Sequence, residues 1–478
     1  MKITILGAGI GGMSCAALLA KNGLDVSVIE QSTSFGGKAG CIEENGFKFD
    51  TGPCLMTYPE WFDELFKSCG KNPREYFTFK KLNTVTRYFD NGKVVDVKGN
   101  INDTANAFQK ALNLDADLFL DYMAKWNNIY KISEKIFLLD DLNFDARFLK
   151  EAAKWMSSNG ISNIYKSMSS YNCVLNNSFA EKIMNRFATY TGSSPFKTPA
   201  FMNQISVVEM INGAYYPDDG IYSLPAAINK LCVDLGVKFK YNTKITRIEQ
   251  SKNVMKIHCE KDIFSSHTLV SNIDYHLTQS LLGRKTNFKK LKLSSSGIVF
   301  YWGIKNNSKN LSLHNIIFSE DYQNEFESIF EKKIIPEDPT IFINITSKMD
   351  PHHAPEHFEN WFVMINTPPN FEIVNSKNIK KLKEIIIRKI KINTGINISQ
   401  SIVFEKILTP KTLHNDTGSI FGSIYGQNQN SFLSILKRKG NQDKHQKNLY
   451  YVGGTVHPGG GMPLALRSGI NVANKIIN

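Results

Sequence analysis

The amino-acid sequence predicts an α/β fold in which a parallel-sheet domain is assembled from separated pieces of chain and an α+β domain is inserted between them. Two observations come from the chain ends, because a strand, a glycine loop and a helix follow one another in the first thirty residues and again in the last thirty. A third is the return of short strand patterns near residue 240, after a long helical region. The length of 478 residues is ample for more than one compact domain.

The first motif is the run Gly-Ala-Gly-Ile-Gly-Gly at 7–12, which stands between an apolar strand and an Ala/Leu-rich helix. Gly7 permits a sharp turn, Gly9 lets backbone N–H groups approach a pyrophosphate, and Gly12 lets the helix lie close to its strand. The N-terminus of that helix would face the phosphates. The motif therefore predicts a Rossmann-like dinucleotide site.

Two features beyond the loop strengthen this prediction. A second apolar strand ends at Glu30, about 20 residues past the loop, where a carboxylate accepts hydrogen bonds from a ribose. The run Gly36-Gly37-Lys38 then adds a glycine doublet and a cation. Such a run alone is more often a simple turn than a ligand site. Its place shortly after the ribose carboxylate is where a long flavin dinucleotide needs a second backbone contact.

Residues 55–200 have a different character. Aromatic and long apolar residues recur at helical spacing, as at Trp61, Phe119 and Trp126, and no ligand motif accompanies them. We interpret most of these stripes as core packing, although a minority could line an apolar channel.

Strand patterns return at 237–241, 245–248, 254–257 and 269–272, which indicates that the first domain is discontinuous. The apolar runs 298–304 and 339–345 predict strands of the inserted domain, giving it a sheet floor and helical walls.

The last motif is a buried strand at 449–452, a glycine-rich loop at 453–461, and a helix opened by Pro463. Glycine is needed where a planar ring lies against backbone, so Gly460 is expected beneath such a ring, and the helix dipole favours negative charge at its end. His457 is the titratable side chain of this loop. It could handle a proton or only shape the loop, and we favour the structural role.

Composition excludes several classes of protein. The net charge of +13 comes from lysines spread along the whole chain, without a helix-turn-helix, zinc-finger or basic-aromatic signature, so no nucleic-acid partner is predicted. The seven cysteines are odd in number and include no C-x-x-C pair, so we predict neither a disulfide framework nor a metal site. No leader and no run of 18 apolar residues is present, which predicts a cytoplasmic chain that does not span a membrane.

Taken together, the motifs resemble those of bacterial carotenoid (phytoene-type) desaturases. The resemblance is carried by residues 7–30, the doublet at 36–37, the run Phe-Asp-Thr-Gly-Pro at 49–53 and the run His-Pro-Gly-Gly-Gly-Met-Pro at 457–463, and it extends over the full length. The first motif is shared by many flavoproteins, whereas the last is much narrower and looks like that of hydroxycarotenoid 3,4-desaturases of Bacteroidetes type.

The resemblance implies a glutathione-reductase-like FAD-binding domain and an enzyme that uses FAD without nicotinamide. Such an enzyme removes two hydrogens from a saturated bond flanking a long polyene and passes the electrons to a quinone or oxygen. The cofactor contacts implied are Gly7, Ala8, Gly9, Gly11, Gly12, Glu30, Gly37, Lys38, Ile245, Gly454, Gly460, Met462 and Pro463. Lys38 departs from the arginine common in the family, which turns a bidentate phosphate contact into a point charge. Gly454 stands where many other flavoproteins have an acidic residue. Carotenoid desaturases also tend to lack that acidic residue, so Gly454 fits the resemblance.

With the strand pattern, the resemblance predicts an FAD-binding domain of residues 1–85, 206–285 and 431–478. The predicted substrate domain comprises 86–205, mostly helical, and 286–430, a sheet with helices. Since a C40 polyene dissolves in bilayers, we expect peripheral docking on the inner face of the cell membrane, assisted by basic residues.

Two alternatives remain open at this stage. One is another flavin enzyme of the same fold, similar to retinol saturases, amine oxidases or protoporphyrinogen oxidases. The other is a non-catalytic prenyl-binding protein similar to guanine-nucleotide dissociation inhibitors. Intact flavin motifs at both chain ends argue against the second, and the absence of other catalytic motifs leaves the chemistry to the cofactor. The substrate end group, the number of desaturations, the electron acceptor and the oligomeric state stay open.

Overall fold

The computed structural model describes residues 1–138, 146–159, 162–251, 254–305 and 308–478. The strands are β1 Lys2–Leu6, β2 Asp25–Ile29, β3 Cys41–Glu44, β4 Phe47–Asp50, β5 Phe79–Lys81, β6 Thr84–Asp90, β7 Lys93–Lys98, β8 Tyr215–Pro217, β9 Lys238–Lys240, β10 Ile245–Gln250, β11 Met255–Cys259, β12 Ile263–Ser266, β13 Thr268–Ser271, β14 Ser296–Ile304, β15 His314–Ile317, β16 Ile341–Ile345, β17 Glu359–Thr367, β18 Ile402–Leu408 and β19 Leu449–Tyr451. The α-helices are α1 Ile10–Lys21, α2 Pro59–Ser68, α3 Ile101–Leu112, α4 Ala116–Ser133, α5 Ala146–Asn159, α6 Ser162–Tyr165, α7 Met168–Asn172, α8 Ser178–Asn185, α9 Ile205–Met210, α10 Ser223–Asp234, α11 Tyr275–Leu281, α12 Tyr322–Glu327, α13 Ser376–Thr394, α14 Pro410–Thr417, α15 Phe432–Leu436 and α16 Met462–Ile477.

A five-stranded sheet with the order β19-β13-β1-β2-β9 forms the predicted dinucleotide-binding unit. All four of its pairings are parallel, and the central strand β1 is buried along almost its whole length, as apolar strands of a covered parallel sheet should be. The carboxyl ends of parallel strands meet at one edge, which is where α/β sheets bind ligands. The residues that follow these ends are therefore the first candidates for a site.

The sheet takes its strands from the beginning, the middle and the end of the chain. This confirms the predicted α/β fold with a discontinuous parallel sheet. A second sheet of seven strands, ordered β18-β14-β17-β16-β15-β6-β7, is antiparallel apart from the β15–β6 pair. Strand β14 covers the run predicted at 298–304, and β16 covers most of the run predicted at 339–345.

The predicted division into domains stays a prediction, but the strands show how the chain lies relative to it. The boundary between residues 85 and 86 falls inside β6, which pairs with β7 and β15 in the seven-stranded sheet. A start near Thr84 would keep this strand in one unit. The remainder of 86–205 contains β7 and helices α3 to α8.

Helices α1 and α16 pack against each other through Gly11, near the start of α1, and Gly469, in the middle of α16. A Cβ atom on Gly469 would lie 2.3 Å from the Gly11 carbonyl oxygen, and one on Gly11 would lie 2.9 Å from the Ala465 oxygen. Because no larger residue fits, the two helices approach closely, and both N-termini lie at the same edge of the parallel sheet. Among the described residues, none of the helices has the length and apolarity needed to cross a bilayer.

Candidate cofactor and substrate site

A cavity of about 1050 Å³ begins at the carboxyl edge of the parallel sheet. Its wall includes the loops after β1, β2, β13 and β19, residues of β14, β16 and β17, and an apolar group formed by Phe137, Trp155, Phe201, Ile205, Phe432 and Ile435. Pockets for one drug-sized ligand measure roughly 300–1000 Å³. This cavity therefore has room for a dinucleotide and part of a second, apolar ligand, with a sheet floor and helical walls.

The first glycine loop has the local geometry that the sequence predicted. Gly7 has φ +94°, a region that glycine adopts without strain. A Cβ atom on Gly12 would lie 2.4 Å from the Gly7 carbonyl oxygen, so α1 can approach β1 only because Gly12 has no side chain. Gly9 has an ordinary φ, yet its Cβ would lie 2.6 Å from the side-chain nitrogen of Asn272. The need for glycine there is thus explained within the protein, and its pyrophosphate contact stays a prediction.

Glu30 lies directly at the carboxyl end of β2 and is 8% exposed. Its two carboxylate oxygens accept hydrogen bonds from the backbone N–H groups of Ala8, at 2.7 Å, and Ser32, at 2.8 Å. An ionised carboxylate has about four acceptor positions, so about two remain for hydroxyl groups of a ligand. This arrangement fits the ribose of a dinucleotide.

The second glycine loop lies against the first. The Gly36 N–H group donates to the Ala8 carbonyl at 2.9 Å, and the Cβ position of Gly37 is 3.5 Å from the Gly9 Cα atom. Position, rather than the Gly-Gly-Lys pattern itself, therefore makes this loop part of the candidate site.

Lys38 makes contacts that the sequence did not predict. Its ammonium group donates to the carbonyl oxygens of Ile424, at 2.5 Å, and Ser423, at 3.3 Å. Burial lowers the pKa of Lys38 to about 8. The ammonium group is held by a distant loop, and its contact with a phosphate stays a prediction.

Ile245 begins β10 and lines the cavity with its neighbours Lys244 and Thr246. The Thr243 N–H group donates to the Glu30 carbonyl at 2.9 Å, which keeps the start of this strand beside Glu30. The predicted contact of Ile245 with FAD would lie at the adenosine end of the site.

The C-terminal loop lines the cavity from Gly453 to the start of α16. That helix begins at Met462, so Pro463 stands in its first turn as predicted, and Gly461 precedes it with φ +103°. For Gly460 the structure gives a further reason for glycine, because a Cβ atom there would lie 2.5 Å from the ring of Tyr425. Gly454 lies beside it, with a Cβ position 3.3 Å from the Gly460 Cα atom, and the contact of either glycine with the flavin stays a prediction.

His457 is 4% exposed and contributes to the cavity wall. Its backbone N–H group donates to the Lys439 carbonyl at 2.8 Å, and its own carbonyl accepts from the Asn441 side chain at 2.9 Å. These bonds hold the loop on both sides of the residue and support the loop-shaping role. A part in proton transfer stays a prediction.

Asn272, which follows β13, is a site residue whose role the sequence did not reveal. The positions where Cβ atoms of Gly9, Gly11 and Gly453 would stand lie 2.6 to 3.0 Å from its amide group. Three glycines, two from the first loop and one from the C-terminal loop, therefore converge on one side chain. Its place at the carboxyl end of a strand beside β1 was the available signal, but the pairing of those strands is not visible in sequence.

A polar cluster on the cavity wall was also missed. The Arg186 guanidinium donates to both carboxylate oxygens of Glu209, at 2.9 and 3.1 Å, and the Tyr190 hydroxyl donates to the same carboxylate. Burial alone would lower the pKa of Arg186, but Glu209 and neighbouring tyrosines raise it well above its usual range. Arg186 is therefore charged, and its Nε atom has no hydrogen-bond partner among the described residues.

These features together define a flavin dinucleotide oxidoreductase. Two helix N-termini, the buried Glu30 carboxylate and two facing glycine loops meet at one edge of a parallel sheet, and the cavity continues into an apolar region. The residues present fit FAD on the structure itself, because the first glycine loop and Glu30 leave backbone donors and carboxylate acceptors at the same end of the cavity.

Comparison with known proteins specifies the family. Residues 10–276 match the family of flavin containing amine oxidoreductases, to which this chain belongs. The chain is 35% identical to a 1-hydroxycarotenoid 3,4-desaturase from Flavobacterium sp. (strain P99-3), covering 100% of this chain and 99% of that protein. It is 29% identical to a 4,4'-diaponeurosporene oxygenase from Staphylococcus haemolyticus, with coverage of 99% and 97%. Within the flavin family the chain thus belongs to the carotenoid desaturase group, as the motifs suggested.

Solved structures agree on the fold. Cyclohexylamine oxidase from Brevibacterium oxydans superimposes with a TM-score of 0.64 at 12% identity, covering 100% of this chain and 98% of that one. Putrescine oxidase bound to putrescine gives a TM-score of 0.65 at 10% identity, with coverage of 100% and 99%. At such low identity the likeness shows the fold alone. With the family match it confirms an enzyme whose cofactor is FAD.

Proposed function

We propose that this flavoenzyme introduces C=C double bonds into a C40 carotenoid derived from phytoene or lycopene, with 1-hydroxylated forms among its substrates. The observation that carries the proposal is the continuous cavity, which joins the flavin loops to a long apolar wall. Bound FAD accepts the two electrons removed from the substrate in each desaturation. The role of the chain is to bind and orient the polyene and to exclude water.

Aromatic side chains from separate helices form the part of the wall that would contact the polyene. The Trp155 ring lies edge-on to Phe201, with centroids 5.1 Å apart, and Phe201 lies edge-on to Phe432 at 6.0 Å. Edge-to-face contacts hold such rings in fixed orientations. A rigid apolar wall suits a stiff conjugated chain better than a small polar amine.

The cluster of Arg186, Tyr190 and Glu209 would then contact a polar part of the substrate. A purely hydrocarbon ligand would leave the spare donor and acceptor positions of these groups without partners, which is costly in an apolar setting. A substrate hydroxyl group can both donate to Glu209 and accept from Arg186. This favours a hydroxylated carotenoid.

The test supplies FAD-loaded protein with lycopene or 1-hydroxycarotenoids in liposomes and identifies products by absorption spectra and mass spectrometry. Loss of two hydrogen atoms per step and a red-shifted spectrum are expected. Tyr190→Phe removes one hydroxyl group while leaving the ion pair intact, and it should weaken selectivity for the hydroxylated substrate. A product that has gained an oxygen atom would instead favour the activity named for the oxygenase relatives. Repeating the assay without oxygen, with and without a quinone, identifies the electron acceptor.

We also propose that α15 and the neighbouring end of α5 dock on the inner face of the cell membrane. Leu436 lines the cavity and is yet 46% exposed, so the cavity opens beside it. Leu433 and Met156 are exposed nearby, at 62% and 46%, and the exposed Lys154 and Lys437 flank them. A lysine near an anionic leaflet contributes about 1 kcal/mol, which falls with salt. A C40 substrate could then pass from the bilayer into the cavity.

Vesicle flotation tests this docking. Binding to anionic vesicles should exceed binding to neutral ones and fall with added salt. Leu433→Asp should reduce binding to both kinds of vesicle, because it places a charge on the apolar contact. Ile263→Asp is the matched control, since Ile263 is 63% exposed on β12, which lies outside the cavity wall. Equal losses in both variants would contradict the proposed docking face.

A further inference from the structure

Arg438 differs from the other arginines of low solvent exposure in its place beside the C-terminal glycine loop. It lines the cavity, and its Nη1 atom donates to the carbonyl oxygens of Gly454, at 3.1 Å, and Val456, at 3.4 Å. Its guanidinium carbon lies 3.7 Å from where a Cβ atom of Gly459 would stand. Arg438 therefore packs directly against the C-terminal glycine loop.

No carboxylate pairs with this cation within the described ranges. Other sheltered arginines do have such partners, because Arg186 binds Glu209, Arg284 binds Asp443 and Arg467 binds Glu64. Burial lowers the pKa of Arg438 to about 10, which still leaves it charged at neutral pH. An interior cation without an anion is costly, and guanidinium groups favour planar anionic acceptors.

We propose that Arg438 is an electrostatic partner of reduced FAD, which carries negative charge at the pyrimidine end of its ring. The position supports this, since Arg438 contacts the loop assigned to the ring end, whereas the phosphates belong to the glycine loop at 7–12. Arg438 would act with the N-terminus of α16, whose unpaired backbone N–H groups favour negative charge at the same end. Arg438 thereby makes FAD a stronger oxidant. The inference rests on the ring lying at the C-terminal loop.

The test compares the affinities of the protein for oxidised and reduced FAD by anaerobic titration of the apoprotein. Arg438→Gln keeps a side chain that can donate to the two carbonyls but removes the charge. It should weaken the binding of reduced FAD at least about tenfold more than that of oxidised FAD, equivalent to about 30 mV in a two-electron potential. Lys444→Gln is the matched control, because it removes an exposed charge that lies outside the cavity wall. It should leave the ratio of the two affinities unchanged.

Equal weakening of both forms by Arg438→Gln, or no weakening, would show that Arg438 only shapes the loop and would overturn the proposal. If that variant fails to fold, Arg438→Lys decides the question. Burial lowers the pKa of a lysine, as it does for Lys38, so this variant should lose its preference for reduced FAD as pH rises from 7 to 9, while the wild type keeps it. A flat profile for Arg438→Lys would also overturn it. Since no carotenoid is used, failure here is distinct from failure of the proposed substrate.

Discussion

Replacing Glu30 with glutamine tests the adenosine end of the site. The substitution preserves size but removes the charge and one acceptor oxygen. In the wild type the two oxygens accept from Ala8 at 2.7 Å and from Ser32 at 2.8 Å. In Glu30→Gln an NH2 group must face one of these N–H donors, which loses its acceptor. A hydrogen bond to a charged group contributes about 1.5–3 kcal/mol, so the apoprotein should lose about that much stability.

A separate loss is expected in FAD binding. If a ribose hydroxyl donates to the Glu30 carboxylate, weakening that bond removes a further contribution of about 1.5–3 kcal/mol. At 1.4 kcal/mol per factor of ten, the dissociation constant of FAD should rise roughly 10- to 150-fold. The two effects differ in kind, because the first is present without cofactor and the second appears only on titration.

The assay is reconstitution of the apoprotein with FAD, followed by flavin fluorescence, together with urea unfolding of the apoprotein. Glu44→Gln is the matched control, because Glu44 is an exposed carboxylate on β3 whose partner is the surface residue Lys406. It should change neither quantity by more than a few tenths of a kcal/mol. If Glu30→Gln destabilised the apoprotein but bound FAD within about twofold of wild type, the ribose argument would be wrong.

Three further predictions concern stability. Gly12→Ala should lower the free energy of unfolding by about 1–3 kcal/mol and reduce FAD content, because its Cβ would lie 2.4 Å from a backbone oxygen. Gly440→Ala is the control and should do neither, since a Cβ there has nothing within 4 Å. Equal melting temperatures of the two variants would contradict this prediction. For Asp443, burial raises the pKa, but hydrogen bonds from an arginine and a tyrosine outweigh this effect and hold the pKa at about 2. The ionised carboxylate therefore stabilises the fold fully above about pH 4. This contribution, up to about 2 kcal/mol, is lost as pH falls toward 2. Urea unfolding against pH checks this, and Asp443→Asn should remove that part of the acid dependence. Glu209→Gln should cost about 3–5 kcal/mol by leaving Arg186 charged without a partner, and adding Arg186→Met should recover much of it; if the double variant is no more stable than the single one, the ion-pair argument fails.

The features that sequence predicted well are those that depend on local backbone requirements. The turn at Gly7, the closeness of α1 to β1 at Gly12 and the opening of α16 beside Pro463 each follow from what one residue type permits. The parallel sheet followed as well, since apolar strands beside such loops leave few other arrangements. These local signals, with the narrow C-terminal motif, were sufficient to indicate FAD and the carotenoid desaturase group.

Contacts with neighbours distant in the chain were not predicted. Lys38 donates to the carbonyl groups of Ser423 and Ile424, and a side chain at Gly460 would meet the ring of Tyr425. Neither contact could be predicted from the sequence, because the identity of a lysine or a glycine does not indicate which distant residue it will contact.

By itself, therefore, the sequence determined the class of enzyme, its cofactor and the order in which the pieces of the parallel sheet occur. The tertiary structure alone decided which side chains meet on the cavity wall, including Asn272 among glycines of two loops, Glu209 beside Arg186, and Arg438 without an acidic partner in the described part of the chain. The physical reason is that hydrophobic periodicity reports which face of an element is buried. The residue that faces it is set by strand register and helix packing, which exist only once the whole chain has folded.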